Sequence, residues 1–345
     1  MAYDNTRSTV LVTGGSGYLA GWVILGLLER GYDVRTTMRS PTKAPQLLEH
    51  VNRFHGKEAA DSLSVVTADL LTDDGWDAAF DGVDFVLHTA SPMPFDTGAD
   101  FIRTAREGTR RVLGAAARAH VQRAVLTSSG VTAVPEDPET AATEADRSHV
   151  SDGAKHVYPN SKILAEQDAW EIATATGMEL TAVLPTFMQG PPFGRPDRTG
   201  TIDVVRRLLN GKLPALPNIG WNVVDVRDIA QLHILAMESP VAAGERFLGS
   251  GTFLWYRDIA QILRAGLPSG ADKVPERRMP DFVVRLLSHF NPQLAMVRHE
   301  LGRKRLVNSS KARELLGWQT RDVEQTILDT ASSLLSVESM DRVLH

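Results

Sequence analysis

The chain has no cysteine among its 345 residues, which excludes disulfides, thiolate nucleophiles and zinc–thiolate sites. It has no surplus of basic residues either. Its 37 Lys and Arg face 42 Asp and Glu, a net charge of −5, and no basic stripe stands out to follow a phosphate backbone. Nucleic acid is therefore not expected as a partner. No apolar run approaches the roughly 18 residues of a membrane span, and the polar start MAYDNTRST lacks the apolar stretch of a secretion signal. These absences predict a cytoplasmic protein without a membrane contact.

What is present is ordinary globular composition, with 43% hydrophobic and 23% charged residues. The length exceeds what one core usually serves, which predicts two closely packed lobes. The first half alternates short β-branched runs with stretches of helical spacing. Strands are expected at Thr9–Val12, Asp33–Thr37, Ser64–Thr67, Asp84–Leu87, Ala124–Thr127 and Glu179–Leu184. Helices are expected at Gly21–Arg30, Pro45–Phe54, Gly75–Phe80, Asp100–Ala119 and Val157–Thr176. Such alternation implies right-handed crossovers and a doubly wound parallel sheet, an α/β Rossmann-type fold. After Pro185 the texture changes to turn-rich segments. Helical patterns then follow at Val226–Met237, Tyr256–Ala265, Pro280–Phe290, Ser310–Leu316 and Val323–Leu335. We expect a dinucleotide-binding domain over 1–188, with 221–240 returning to it, and a smaller, mainly helical substrate lobe over 189–345.

Three segments carry chemistry. The first, TGGSGYLAG at Thr13–Gly21, sets four glycines in nine positions directly after the apolar run VLV. A lone glycine cluster is most simply a tight turn. Between a strand and an apolar helix, however, Gly14, Gly17 and Ala20 form G-x-x-G-x-x-A. Here Gly14 allows the turn, Gly17 admits a pyrophosphate and Ala20 lets the helix pack closely, while free N–H groups at the helix start face the anion. The second is YPNSK, whose Tyr158 and Lys162 share a helix face at i, i+4. A phenol of pKa about 10 is a poor acid or base at neutral pH, and a nearby ammonium favours its ionised form. The third, LTSSG at Leu126–Gly130, ends a strand and places a serine hydroxyl toward the ligand crevice.

With these segments the chain resembles the extended short-chain dehydrogenase/reductases over nearly its whole length. Within them it is similar to the dihydroflavonol reductase branch and its microbial aldehyde and ketone reductases. The resemblance also rests on VRTTMRS, ADL, VLHTASP, YPNSKILAE, VLPT, VVDVRDIA and SSKARELLGW. It implies a catalytic set of Ser129, Tyr158 and Lys162, with Ser129 preferred over Ser128. Tyr158 would protonate the reduced oxygen, Ser129 would polarise the carbonyl, and Lys162 would lower the tyrosine pKa and bind the nicotinamide ribose. No metal is needed. The resemblance further implies coenzyme contacts from Gly14, Ser16, Gly17, Tyr18 and Leu19 at the glycine loop, Asp69 and Leu70 beside adenine, Thr89, Ala90 and Ser91 after the fourth strand, Thr127 after the fifth, and Pro185 and Thr186 beside the nicotinamide.

One more absence selects the coenzyme. The second strand ends on Met38, with neither Asp nor Glu to hold the ribose 2′-hydroxyl of NAD. Arg39 and Lys43 follow and can pair with the 2′-phosphate of NADP, so NADP(H) is the expected coenzyme. Dihydroflavonol reductases carry an asparagine where this chain has Val134. A small or medium-sized carbonyl compound is therefore expected in place of a flavonoid. Met93, Phe95, Val131, Phe187 and Phe193 are candidate pocket walls, and Gln189–Gly200 a candidate cover. His50 and His55 fall on different helix faces and are not read as a metal site. Asp225, Arg227 and Asp228 are expected to cap a helix and tie the lobes. Ser310 is expected as an N-cap and Trp318 as a core plug. The chain is expected to act as a monomer or homodimer. Two rivals share the fold: an NAD-dependent sugar-nucleotide epimerase or dehydratase, against which Met38 and Arg39 argue, and a non-catalytic NADP-sensing regulator, against which Tyr158 and Lys162 argue.

Overall fold

The computed structural model describes residues 8–92, 101–193, 200–289 and 298–343. Met93, Phe95 and residues 194–199 of the expected cover lie outside them. The first half runs β1 (Thr9–Val12), α1 (Tyr18–Glu29), β2 (Asp33–Met38), α2 (Ala44–Asp61), β3 (Leu63–Thr67), α3 (Trp76–Phe80), β4 (Phe85–His88), α4 (Phe101–Arg118), β5 (Arg123–Thr127), α5 (Val157–Thr176) and β6 (Glu179–Pro185). The second runs β7 (Phe187–Gln189), α6 (Asp203–Leu209), β8 (Gly220–Asp225), α7 (Val226–Glu238), β9 (Arg246–Gly249), β10 (Thr252–Trp255), α8 (Tyr256–Gly266), α9 (Asp281–Leu287), α10 (Ser310–Leu316) and α11 (Val323–Val343).

The main sheet has seven strands in the order β3-β2-β1-β4-β5-β6-β9, every neighbouring pair parallel. Its strands read as continuous apolar runs because helices cover both faces. Val10, Leu11 and Val12 are all fully buried. One face packs on α1, α2 and α7, the other on α3, α4 and α5. Strand order reverses between β1 and β4, and ligands of such sheets bind beyond the strands' carboxyl ends at that switch.

The second half departs from a mainly helical reading in two places. β9 returns to the main sheet beside β6. A separate sheet, β10-β8-β7, sits over its own core with α6, α8 and α11. The seam between the halves is ionic. Asp225 caps α7 by accepting from the Arg227 N–H at 2.8 Å, grips the Arg227 guanidinium at 2.7 and 2.9 Å, and accepts from Thr326 of α11 at 2.9 Å. Arg227 reaches on to Asp329 at 2.7 Å. Asp228 takes the Arg321 backbone at 2.6 Å and its guanidinium, while its carbonyl accepts from the fully buried Trp318 indole at 2.7 Å. Ser310, however, is the first helical residue of α10. Ser309 precedes it as the N-cap, and its hydroxyl is given to the Ser250 carbonyl at 3.1 Å.

Candidate active site

The glycine loop leaves β1 through Gly14, whose φ of +76° only glycine adopts without strain. Gly15, which has no role in the G-x-x-G-x-x-A pattern, is also constrained: a Cβ there would sit 2.3 Å from the Thr36 hydroxyl. The loop is fixed to β2 by Gly15 N–H on the Thr37 carbonyl at 2.9 Å and Gly14 N–H on the Thr37 hydroxyl at 3.2 Å. Gly17 then opens α1, and no side chain caps its first turn. Those amides are the anion-facing donors of such a loop. Ser16 is exposed at the turn. Leu19 is buried in the core, and the Tyr18 hydroxyl is given to the Gly190 carbonyl at 3.0 Å. For these two only the backbone remains to meet a ligand.

Thr13 joins the loop to β4. Its hydroxyl accepts from the Ala90 N–H at 3.0 Å, and its carbonyl accepts from the Thr89 hydroxyl at 2.6 Å. The Thr13 hydroxyl also shares a hydrogen bond with His88 Nδ1 at 2.8 Å. Burial and the neighbouring Lys162 push that imidazole down to about 3. Ser91 lies half-buried beyond. On the other side of β1, Asp69 accepts from Leu71 N–H at 3.0 Å and Leu70 fills the space over Gly108. Met38 is 3% exposed, a core residue, while Arg39 and Lys43 stand exposed just beyond it. The donor set thus fits a dinucleotide: a glycine cradle whose one side chain is the exposed Ser16, a helix start without a side-chain cap and two cations after β2, which ends on Met38 and not on a carboxylate.

Ser129, Tyr158 and Lys162 meet at the carboxyl end of β5. Tyr158 donates to Ser129 Oγ at 3.5 Å, and Lys162, one helical turn on, donates to the Thr127 carbonyl at 3.3 Å. Ser129 and Lys162 are both buried. Ser128 turns the other way, giving its hydroxyl to the buried Glu166 carboxylate. The Thr127 hydroxyl also turns away, to His233 Nε2 at 2.8 Å. His233 Nδ1 donates to the Ile229 carbonyl at 2.8 Å, and burial lowers the ring to about 4, which keeps it neutral at pH 7. Pro185 ends β6, and Thr186 is pinned to the Gly249 carbonyl at 2.9 Å and flanks the Ser129 turn at Gly130.

The electrostatics differ from the expected lowering of the phenol. Burial raises the Tyr158 pKa, opposed by the hydrogen bond to Ser129. Burial lowers the Lys162 ammonium to about 8, with Glu166 pulling the other way. The phenol therefore keeps its proton at neutral pH, as an acid must.

Of the candidate wall residues, Val131 and Val134 lie on the turn after Ser129, held by Ser148, whose hydroxyl is given to the Val131 carbonyl at 2.7 Å and accepts from Val134 N–H at 3.0 Å. Phe187 stacks on Trp221, ring centroids 4.6 Å apart. Phe193 packs on α1, filling the space over Gly21 beside Trp22 and His50. It is a core contact of the coenzyme half. Glu166, which ends the YPNSKILAE segment but has no assigned role there, and Arg246, which lies in none of the quoted segments, form a buried ion pair behind the site at 2.7 Å.

The family model of the NAD dependent epimerase/dehydratase family matches residues 10–248. Cinnamoyl-CoA reductase 2 of Arabidopsis thaliana is 37% identical over 265 residues, covering 75% of this chain and 77% of that protein. Tetraketide alpha-pyrone reductase 2 of the same plant is 34% identical over 273 residues, 76% and 84% of the two chains. Among solved structures, yeast methylglyoxal/isovaleraldehyde reductase complexed with NADPH superposes with a TM-score of 0.79 at 24% identity, covering 96% of this chain and 99% of that one.

Proposed function

Since the chain belongs to the NAD dependent epimerase/dehydratase family, the extended short-chain dehydrogenase/reductases, we propose that it reduces the carbonyl of a small or medium-sized aldehyde or ketone to the alcohol, with Tyr158 as the proton donor. The chain is an oxidoreductase of the reductase kind and its coenzyme is NADP(H). The observation that carries the proposal is the Tyr158–Ser129 contact at 3.5 Å, with Lys162 buried one turn along α5.

NADPH, when bound, supplies the hydride. The chain supplies the rest. Arg39 and Lys43 would pair with the 2′-phosphate, and the amides at the start of α1 would take the pyrophosphate. Ser129 holds the carbonyl oxygen by its hydroxyl, and the neutral Tyr158 gives that oxygen its proton as charge builds on it. Lys162, which donates to the Thr127 carbonyl at 3.3 Å, would hold the ribose hydroxyls. The exposed Val134 offers no side-chain hydrogen bond, which favours an apolar substrate on that side.

A second reading, reduction of an aromatic acyl-CoA thioester to the aldehyde with release of the thiol, is favoured by the names of the relatives at 37% identity. The test is NADPH oxidation across aldehydes, ketones, keto esters and a hydroxycinnamoyl-CoA, with free thiol measured in parallel. Turnover of aldehydes or ketones without thiol release is expected. Turnover of the thioester alone, with stoichiometric thiol, would replace the first reading by the second.

A further inference from the structure

Behind the reacting side chains lies a buried polar network in which the proposed catalytic groups take no part themselves. Glu166 sits one turn beyond Lys162 on α5, and Arg246 opens β9, the strand that returns from the far half of the sequence. Their side chains are 6% and 3% exposed and meet at 2.7 Å.

Each grips one side of Ser129. Glu166 accepts the hydroxyl of Ser128, the residue before it. Arg246 donates to the Thr132 hydroxyl at 2.9 Å and to the Thr132 carbonyl at 3.1 Å. Thr132 in turn gives its N–H and its hydroxyl to the Ser129 carbonyl, at 3.0 and 2.9 Å. The remaining Arg246 donors go to the Glu144 and Asp146 carbonyls at 2.9 and 2.7 Å, and Trp170 donates to Glu166 at 3.3 Å. A guanidinium so fully satisfied has nothing left for a ligand, but it holds the short turn that carries Ser129 against the helix that carries Tyr158.

We propose that Glu166 and Arg246 are positioning residues of the reductase: together they fix the Ser129 turn from both sides and set its hydroxyl against Tyr158. This rests on the reading of Ser129, Tyr158 and Lys162 given above. Glu166 has a second consequence. The groups facing Lys162 are Glu166 and Tyr158 on its own helix, the Thr127 carbonyl on β5 and the neutral His88 on β4. Among them only the carboxylate carries a charge opposite to the ammonium's. Removing its charge therefore makes Lys162 lose its proton at lower pH.

The test compares Glu166→Gln, Thr132→Val and Tyr158→Phe on one carbonyl substrate. Glu166→Gln keeps the shape but leaves Arg246 without a counter-charge, so its folding is checked by thermal melting. Thr132→Val keeps the ion pair and the backbone bonds at this position, and removes the hydroxyl that joins Arg246 to the Ser129 carbonyl. Glu166→Gln should lower kcat on the order of ten- to a hundred-fold, with KM for NADPH within about twofold. The alkaline limb of its kcat profile should move to lower pH, which a loss of folded protein alone would not do. Thr132→Val should lower kcat several-fold with its alkaline limb unmoved. Wild-type kcat in Thr132→Val, or an unmoved alkaline limb in a folded Glu166→Gln, would overturn the proposal, provided Tyr158→Phe is impaired. If Glu166→Gln does not fold, Thr132→Val decides alone. Full activity in Tyr158→Phe would instead overturn the reading of the active site beneath it.

Discussion

The glycine-loop end of the main sheet and the seam between the halves treat polar groups in opposite ways. At the seam the charges are matched bond for bond: Asp225 holds Arg227 and Thr326, Arg227 reaches Asp329, and Asp228 holds Arg321 twice over. At the sheet's carboxyl end, polar groups have capacity to spare. The first turn of α1 has no side-chain cap, Arg39 is exposed, and Tyr158 makes one long contact to a serine. Saturated networks fix geometry, whereas unsaturated groups in a crevice are held ready for a ligand. The same contrast separates Ser128 from Ser129. The first is spent on Glu166, and the second faces the phenol.

The sharpest way to break this contrast is at Tyr158. Tyr158→Phe removes one oxygen from the unsaturated end and leaves the ring to pack. A positioned acid is typically worth about a hundred- to ten-thousand-fold in rate, and kcat should fall within that range. Fluorescence titration should give an NADPH Kd close to wild type. A variant that keeps most of its turnover would show that the spare hydroxyl is not held for chemistry.

A smaller effect belongs to Arg39. Hydrogen bonds to charged groups contribute about 1.5–3 kcal/mol, roughly ten- to a hundred-and-fifty-fold in binding. Arg39→Ala should raise the KM for NADPH by that order and leave KM for NADH nearly unchanged. Equal losses with both coenzymes would remove Arg39 from the 2′-phosphate, and its exposure would then be that of an ordinary surface cation.

The same contrast explains what was legible in the sequence. The strands of the first half were readable almost to the residue because parallel strands buried on both faces are continuous apolar runs, as at Thr9–Val12. Tyr158 and Lys162 were readable because one helix sets their spacing. The three-residue β7 and the strand β9, which begins on Arg246, carry no such run, and their pairing is decided by β8 and β6 far away in the chain. Glu166 and Arg246 are 80 positions apart, and nothing local joins them. Phe193 looked like a pocket wall as an aromatic residue in a turn-rich loop, yet the space over Gly21 draws it onto α1. The preference for Ser129 over Ser128 rests on the resemblance alone, because adjacent identical residues do not reveal which way each hydroxyl turns.

The smallest expected effect is at the seam, where the contrast makes a negative statement about coenzyme binding. Thr326 is 1% exposed and shares its hydroxyl proton between Asp225 at 2.9 Å and its own helix's Asp322 carbonyl at 3.0 Å. Valine has nearly its shape, and Asp225 would keep three donors from Arg227, so no buried charge is orphaned. The loss should be that of a single hydrogen bond, about 1 kcal/mol. For a chain of 345 residues that is a fall in Tm of about 1–2 °C. The kcat and the KM for NADPH should stay at wild-type values, because the lost Thr326 hydroxyl bonds only Asp225 and the Asp322 carbonyl and reaches neither the glycine loop nor Ser129. A rise in the KM for NADPH would mean that the seam and the cradle are one unit. A route for that exists one turn further along α11, where the Thr330 hydroxyl accepts from Gly190 N–H at 2.7 Å and the Gly190 carbonyl accepts from Tyr18, the first residue of α1, at 3.0 Å. Thr326→Val leaves that route intact. An unchanged KM in this variant would therefore confine any coupling to Thr330 and leave the saturated ion pairs of the seam a purely structural part.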